Sequence, residues 1–280
     1  MHSGHDTNEP TARSHPRRLR ARPAWIGVIA LLLAAGGCAN PGYAVDGLMN
    51  IGGNEQHEEL ELDETEPTLV VLQHGIWRSR ASLWRMERAL ESHGYEVLNQ
   101  SYPSTRGTIE EHAALLEERL EAHLATRVGP APRLCFVGHS MGGLVINAYL
   151  QRPDARHADA CVFLGTPHRG AMFTDKRKDW LLFPVVMGDQ AAYQLSPSDP
   201  FYETLGPVPC PSIGTIIGGR GDDEGRNAEI PGDDDGKVSV TEAHLPEETA
   251  SVQLTMGHTS LSHSCESIES VLHFLKYGSF

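Results

Sequence analysis

Residues 134–143 read Leu-Cys-Phe-Val-Gly-His-Ser-Met-Gly-Gly. An apolar run leads into a serine flanked by glycines at 138 and 142, and Leu144, Val145, Ala148 and Leu150 continue at helix-compatible positions. A Gly-x-Ser-x-Gly pattern after a strand demands a sharp turn into a helix, with the serine at the apex in a strained conformation. Only glycine lets the backbone pass close by on both sides. Ser140 is then held clear of the sheet, and the helix behind it offers its N-terminal amides to a developing negative charge.

Strand and helix signals alternate on either side of this turn. Thr68–Gln73 is a short β-branched run that stops at His74-Gly75, and residues 80–92 carry Leu83, Met86 and Leu90 at helical spacing. A weaker strand spans 95–100. From Thr108, the residues Ile109, Ala113, Leu116, Leu120 and Leu124 share one helical face. Thr108 with Glu111 forms a capping box, and Gly129-Pro130 ends the helix. Further strands are expected at 160–164, 212–217 and 251–255, and Ile268, Val271, Leu272 and Leu275 mark a closing helix. Such alternation predicts an α/β fold, a mainly parallel sheet with helices on both faces. Residues 171–207 are apolar without a clean period, which makes them a candidate cap or lid over an apolar pocket.

A serine hydroxyl is a poor nucleophile at neutral pH and needs a base that is itself oriented by a carboxylate. Downstream of Ser140 stand Asp233-Asp234-Asp235-Gly236-Lys237-Val238-Ser239-Val240 and then Gly257-His258, with His263 close behind. His258 follows the last expected strand closely enough to reach over the sheet edge. His263 is nearer the helix start and suits capping or packing. The acidic stretch beginning Asp222-Asp223-Glu224 is read as a solvated loop; oxygen ligands for calcium are the alternative, without a regular ligand spacing to support it. His139 and His168 are expected to act as packing or hydrogen-bonding supports. Trp77 is expected either to line a pocket or to pack on a surface loop.

The elbow Gly138–Gly143, the upstream His74-Gly75-Ile76, Gly165-Thr-Pro-His-Arg-Gly170, Asp235-Gly236-Lys-Val-Ser-Val240 and His258 together resemble the lipase/esterase branch of the α/β-hydrolase superfamily. The match covers about residues 67–278. The resemblance implies an α/β-hydrolase fold, with Ser140 as nucleophile, His258 as general base and then acid, and an aspartate just after a late strand as its partner. Asp235 fits that pattern best, with Asp234 and Asp233 as alternatives. The oxyanion would be held by the backbone N–H groups of Ile76 and Met141. The implied activity is hydrolysis of carboxylic esters of lipid or acylglycerol type, without a metal or organic cofactor. Two alternatives remain at this level: an acyltransferase or amidase acting on a cell-envelope substrate, and a non-catalytic binding module.

Length and charge set the outer bounds. With 280 residues and 40% hydrophobic content, the chain can bury one substantial core. Its net charge is −14, although residues 1–37 hold five arginines against Asp6 and Glu9. The remainder is therefore more acidic still, and it repels phosphate backbones, which excludes nucleic acid as a partner.

That basic start precedes an apolar run from Trp25 to Ala35 and then Gly36-Gly37-Cys38. The run is too short to span a bilayer comfortably, and the order is that of an export signal. The end of it resembles a bacterial lipobox, which implies cleavage before Cys38, acylation of its thiol and a membrane-anchored lipoprotein in the cell envelope; a plain cleaved signal peptide and an uncleaved membrane anchor are the alternatives, and all three imply export. The expected organisation is thus a signal over 1–37, a Gly-, Asn-, Glu- and Pro-rich spacer over 38–66 and the catalytic domain over 67–280. Four cysteines remain after Cys38. Cys135 and Cys161 fall in apolar strands as core fillers, which leaves Cys210 and Cys265 as the better disulfide candidates.

Overall fold

The computed structural model describes residues 67–176, 179 and 190–280. The export signal, Cys38 and the spacer lie outside the described residues, as do residues 177, 178 and 180–189 of the candidate lid.

Six strands form one sheet: β1 (Thr68–Gln73), β2 (Glu96–Asn99), β3 (Arg133–His139), β4 (Ala160–Leu164), β5 (Ile213–Gly218) and β6 (Ala250–Leu254). Their order is β2-β1-β3-β4-β5-β6, and every pairing is parallel. The three central strands read as unbroken apolar runs because both faces of the sheet are covered. Alternate residues go to opposite sides. Leu69, Val71, Leu134, Phe136, Cys161 and Phe163 enter one core with the helices α2 (Ile109–Thr126) and α3 (Met141–Leu150). Val70, Leu72, Cys135, Val137, Val162 and Leu164 enter a second core with α1 (Trp84–Ser92) and α4 (Cys265–Tyr277). A two-residue period is thus satisfied twice, once on each face.

Local signals fix the helix ends. Thr108 Oγ1 accepts from the Glu111 amide and Glu111 returns the bond to the Thr108 amide, which starts α2 where the sequence predicts. Such a cap contributes about 1 kcal/mol. Residues 80–83 form a 3-10 turn rather than part of α1. Within 171–207, one-turn helices occupy Met172–Asp175, Gln190–Gln194 and Phe201–Thr204. The second is pinned to the start of α2 by the Ala191 amide on the Gly107 carbonyl at 2.8 Å and by Gln194 on the Ile109 amide at 2.7 Å. Ala191, Leu195 and Phe201 are buried in the α2–α3 core, and Ala192 is buried beside them in the chain.

Cys135 and Cys161 fill the two cores as expected, but the disulfide expected of Cys210 and Cys265 does not form. Cys135, Cys161, Cys210 and Cys265 are all free. Cys210 Sγ donates to the Ser212 carbonyl just before β5, whereas Cys265 Sγ accepts from Arg85 at the start of α4. The two sit on different elements with different partners.

Strand order runs outward in one direction from β1 to β2 and in the other from β3 to β6. The chain reverses at the β1/β3 pair, and open parallel sheets leave a crevice at such a switch, beyond the carboxyl ends of the strands. The loops after β1, β3, β4 and β5 all open onto that edge.

Candidate active site

Ser140 sits between the end of β3 and the start of α3 with φ 56° and ψ −130°, outside the regions open to ordinary side chains. Its amide donates to the Leu164 carbonyl at 2.9 Å, which ties the turn to β4. Both flanking glycines are required by contact. A Cβ on Gly138 would stand 2.6 Å from the backbone of Gly143, and one on Gly142 would stand 2.2 Å from the Gln73 carbonyl oxygen at the end of β1.

Two further sequence-read residues come to this serine. His258 Nε2 lies 2.9 Å from Ser140 Oγ, across 118 residues of chain, and His258 Nδ1 donates to Asp235 Oδ2 at 2.7 Å. The other carboxylate oxygen of Asp235 accepts from the Lys237 and Val238 amides, both at 2.9 Å, and the Asp235 carbonyl accepts from the His258 amide at 2.8 Å. An aspartate so fixed holds Nδ1–H on the imidazole, so Nε2 presents a lone pair to the hydroxyl. Asp235 is 4% exposed and Ser140 8%.

The alternatives go elsewhere. Asp234 is fully buried and accepts from the Arg226, Asn227 and Gly236 amides. Asp233 accepts from the Arg220 and Gly221 amides and from Gln253, and those donors hold its carboxyl below the usual carboxylate range against its partial burial. These bonds make the acidic loop a set of main-chain clasps. His263 is half-buried, with Nδ1 on the neighbouring Ser262 hydroxyl. The aspartate is not just after a late strand in sequence, as the resemblance implies. β5 ends at Gly218, and the chain makes an excursion before returning with Asp235 packed against that glycine.

Ile76 and Ser140 line one cavity of about 170 Å³. The turn that carries Ile76 is pressed onto the elbow, since a Cβ on Gly75 would meet Ser140 Cβ at 3.0 Å. Met141 is the first residue of α3, whose leading amides have no carbonyl four residues back to bond. Trp77 also lines the cavity; it is 55% exposed, with a positive φ of 59°.

Sequence reasoning missed the support under this turn. His74 is fully buried; its Nδ1 donates to the Gly75 carbonyl at 2.9 Å, and its Nε2 accepts from the Tyr102 amide at 3.2 Å. Tyr102 Oη donates to the His74 carbonyl at 2.6 Å, and the two rings stack with centroids 4.3 Å apart. Burial lowers the pKa of His74, consistent with one donor and one acceptor nitrogen. A buried histidine beside Gly75 signals a required partner, but nothing around Tyr102 identifies it as that partner.

His139 and His168 act as supports of two kinds. His139 Nε2 donates to the His258 carbonyl at 2.9 Å, holding the loop that carries His258, and the two rings lie 4.9 Å apart. His168 packs edge-on against Phe163 at 4.7 Å, with neither ring nitrogen hydrogen-bonded among the described residues. Desolvation pushes both pKa values down to about 3. An unfolded histidine titrates near 6.5, so between pH 6.5 and 3 the unfolded chain binds more protons than the folded one. Stability is therefore expected to fall as pH falls through that window, by up to about 1.4 kcal/mol per pH unit for each group. Urea midpoints at pH 7, 5.5 and 4.5 measure the slope. His168→Leu should make it shallower by about one proton, and an unchanged slope would show that His168 does not stay neutral.

The family model for the Alpha/beta hydrolase family matches residues 69–248. No curated protein matches the chain. Among solved structures, the chain is similar to a Bacillus licheniformis lipase in its propeptide form, with TM-score 0.63 and 20% identity over 76% of this chain and 51% of that one. The mature form of that lipase gives TM-score 0.55 and 18% identity over 76% and 92%. A metagenomic carboxyl esterase gives TM-score 0.52 and 16% identity over 69% and 65%. The chain thus spans about half the length of the propeptide form. At these identities the likeness is one of fold: a parallel six-stranded sheet with helices on both faces. With more than half of its length matched by the family model, the chain belongs to the Alpha/beta hydrolase family.

Proposed function

We propose that this hydrolase cleaves carboxylic esters through an acyl-enzyme on Ser140, with lipid-type esters as the substrate class. The observation that carries the reading is the unbroken hydrogen-bonded line Asp235–His258–Ser140, which opens onto the 170 Å³ cavity. Ser140 Oγ attacks the acyl carbon while its proton passes to His258 Nε2. The resulting oxyanion lies between the Ile76 and Met141 amides, and the imidazolium is held by Asp235. His258 then returns the proton to the departing alcohol. Water repeats the sequence on the acyl-enzyme and releases the acid.

Ile76, Pro167, Ala171, Leu195 and Val238 contribute to the apolar lining together with the Trp77 and Phe173 rings. A cavity of similar volume takes a benzene-sized group, so the described residues accommodate about six carbons of an acyl chain. Incubation with a fluorophosphonate, followed by peptide mass spectrometry, tests the reading. A single phosphonyl adduct on Ser140, with a burst of p-nitrophenol from a short p-nitrophenyl ester, supports it. An unlabelled serine in folded protein would remove it.

The same proposal places the chain on a membrane through acylated Cys38, on the strength of the basic, apolar and small-residue order before it. Metabolic labelling with a palmitate analogue should mark the chain and be lost in Cys38→Ser. Labelling that survives the substitution would refute the anchor.

A further inference from the structure

The cavity that holds Ser140 is lined by two cations, Arg78 and Lys237, and among the described residues no acidic side chain lines it. In a chain of net charge −14 this is a local reversal of sign. Each cation sits two residues from a part of the reacting group: Arg78 follows Ile76, and Lys237 follows Asp235. Arg78 Nη2 donates to Thr259 Oγ1 at 3.0 Å, which places the guanidinium beside the residue next to His258. Lys237 Nζ lies 4.2 Å from the centroid of the Phe173 ring, another lining residue.

We propose that the site selects esters whose leaving alcohol carries a carboxylate or phosphate, held by Arg78 and Lys237. This deepens the ester-hydrolase reading and rests on it. The assignment to the leaving side follows from the proton path. The oxygen that departs must lie within reach of His258 Nε2, so the alcohol leaves past Thr259, and the guanidinium bonded to Thr259 stands in its way. Arginine offers five N–H donors in a planar fork suited to two oxygens of one anion. Among the described residues, the Thr259 hydroxyl is the single bond its side chain makes. The apolar lining remains for the acyl chain. Chemistry is unchanged by the anion: the same C–O bond breaks, and the proton from Ser140 reaches the leaving oxygen through His258.

The test compares 4-butyryloxybenzoate with 4-butyryloxybenzamide on the full chain in neutral detergent, each rate divided by its hydroxide-catalysed rate. At low salt the corrected kcat/KM should favour the anion by about tenfold, carried in KM, as two solvent-facing charges allow. The preference should shrink as added salt brings the screening length down to a few ångströms. It should approach unity in R78Q/K237Q and invert in R78E/K237E, which a purely structural role for the pair would not produce. A second arm sets phosphatidic acid against diacylglycerol of the same chains in phosphatidylcholine vesicles. Preference in both arms identifies a general anion subsite, and preference in one alone identifies a soluble or a lipid source. A wild-type ratio at or below one in both arms, or a ratio that neither double variant moves, overturns the proposal. If neither ester turns over and Ser140 takes no label, the catalytic reading has failed instead. Equilibrium binding of phenyl phosphate against phenol then decides the subsite: weaker phosphate binding in R78Q/K237Q than in wild type upholds it, and equal binding ends it.

Discussion

Ser140→Gly is expected to lose on the order of 10⁴- to 10⁶-fold in kcat/KM on a short ester while raising the stability of the fold. The kinetic half follows from removing the hydroxyl proposed to carry the acyl group. The thermodynamic half follows from the backbone. At φ 56° and ψ −130° a serine is held in a conformation that glycine adopts readily, and such residues store about 1–3 kcal/mol. Glycine releases that strain but gives about 0.5–1 kcal/mol back through the greater freedom of the unfolded chain. A net gain of about 1 kcal/mol is left, a few degrees in Tm for a domain of this size. The bond from Oγ to His258 is also lost, but Nε2 faces a cavity of about 170 Å³ where water replaces it. Calorimetry beside ester kinetics checks both halves. Activity within tenfold of wild type would mean another nucleophile, and a lowered Tm would mean that the elbow stores no strain.

That strain is why the elbow could be read from sequence at all. Glycines at 138 and 142 record close contacts of one short turn with Gly143 and Gln73, and the apolar runs on either side record a sheet covered on both faces. Strands and helices with a clear period were legible for the same reason: each is decided by neighbours a few residues away. The meeting of Ser140 with His258 is decided by topology, and it was accessible because both stand just beyond strand ends that open on one edge. What could not be read depends on the path of irregular chain. Asp235 reaches the site only because the loop after Gly218 folds back on itself through the clasps made by Asp233 and Asp234. The stacking of His74 on Tyr102 joins two loops with no shared pattern. Cys210 and Cys265 carried no signal of position beyond lying at element edges, so their separation was invisible.

The neighbouring carboxylates 234 and 235 offer the sharpest separation of chemistry from architecture. Asp235→Asn is expected to lower kcat by about 10⁴-fold with little change in stability. Asp235 Oδ1 accepts from two amides, those of Lys237 and Val238, so the asparagine carbonyl oxygen must take that place. Its NH₂ group then faces His258 Nδ1. The imidazole can satisfy that donor only by moving its proton to Nε2, and Nε2–H cannot accept from Ser140 Oγ. The base is lost by a change of tautomer, without a change of position. Asp234→Asn meets the opposite fate. Both of its oxygens accept main-chain amides, from Arg226 and Asn227 on one side and Gly236 on the other, and the site is fully buried. Whichever way the amide turns, an N–H is pushed against an N–H, at about 1–3 kcal/mol for the unsatisfied donors. Stability should fall by that amount, with kcat within about tenfold of wild type, because the bonds of Asp235 to His258 and to the two amides remain. Kinetics and urea unfolding of the two variants side by side read the difference. If the large kinetic loss follows residue 234 instead, the carboxylate that orients His258 in solution is not the one that bonds it in this structure.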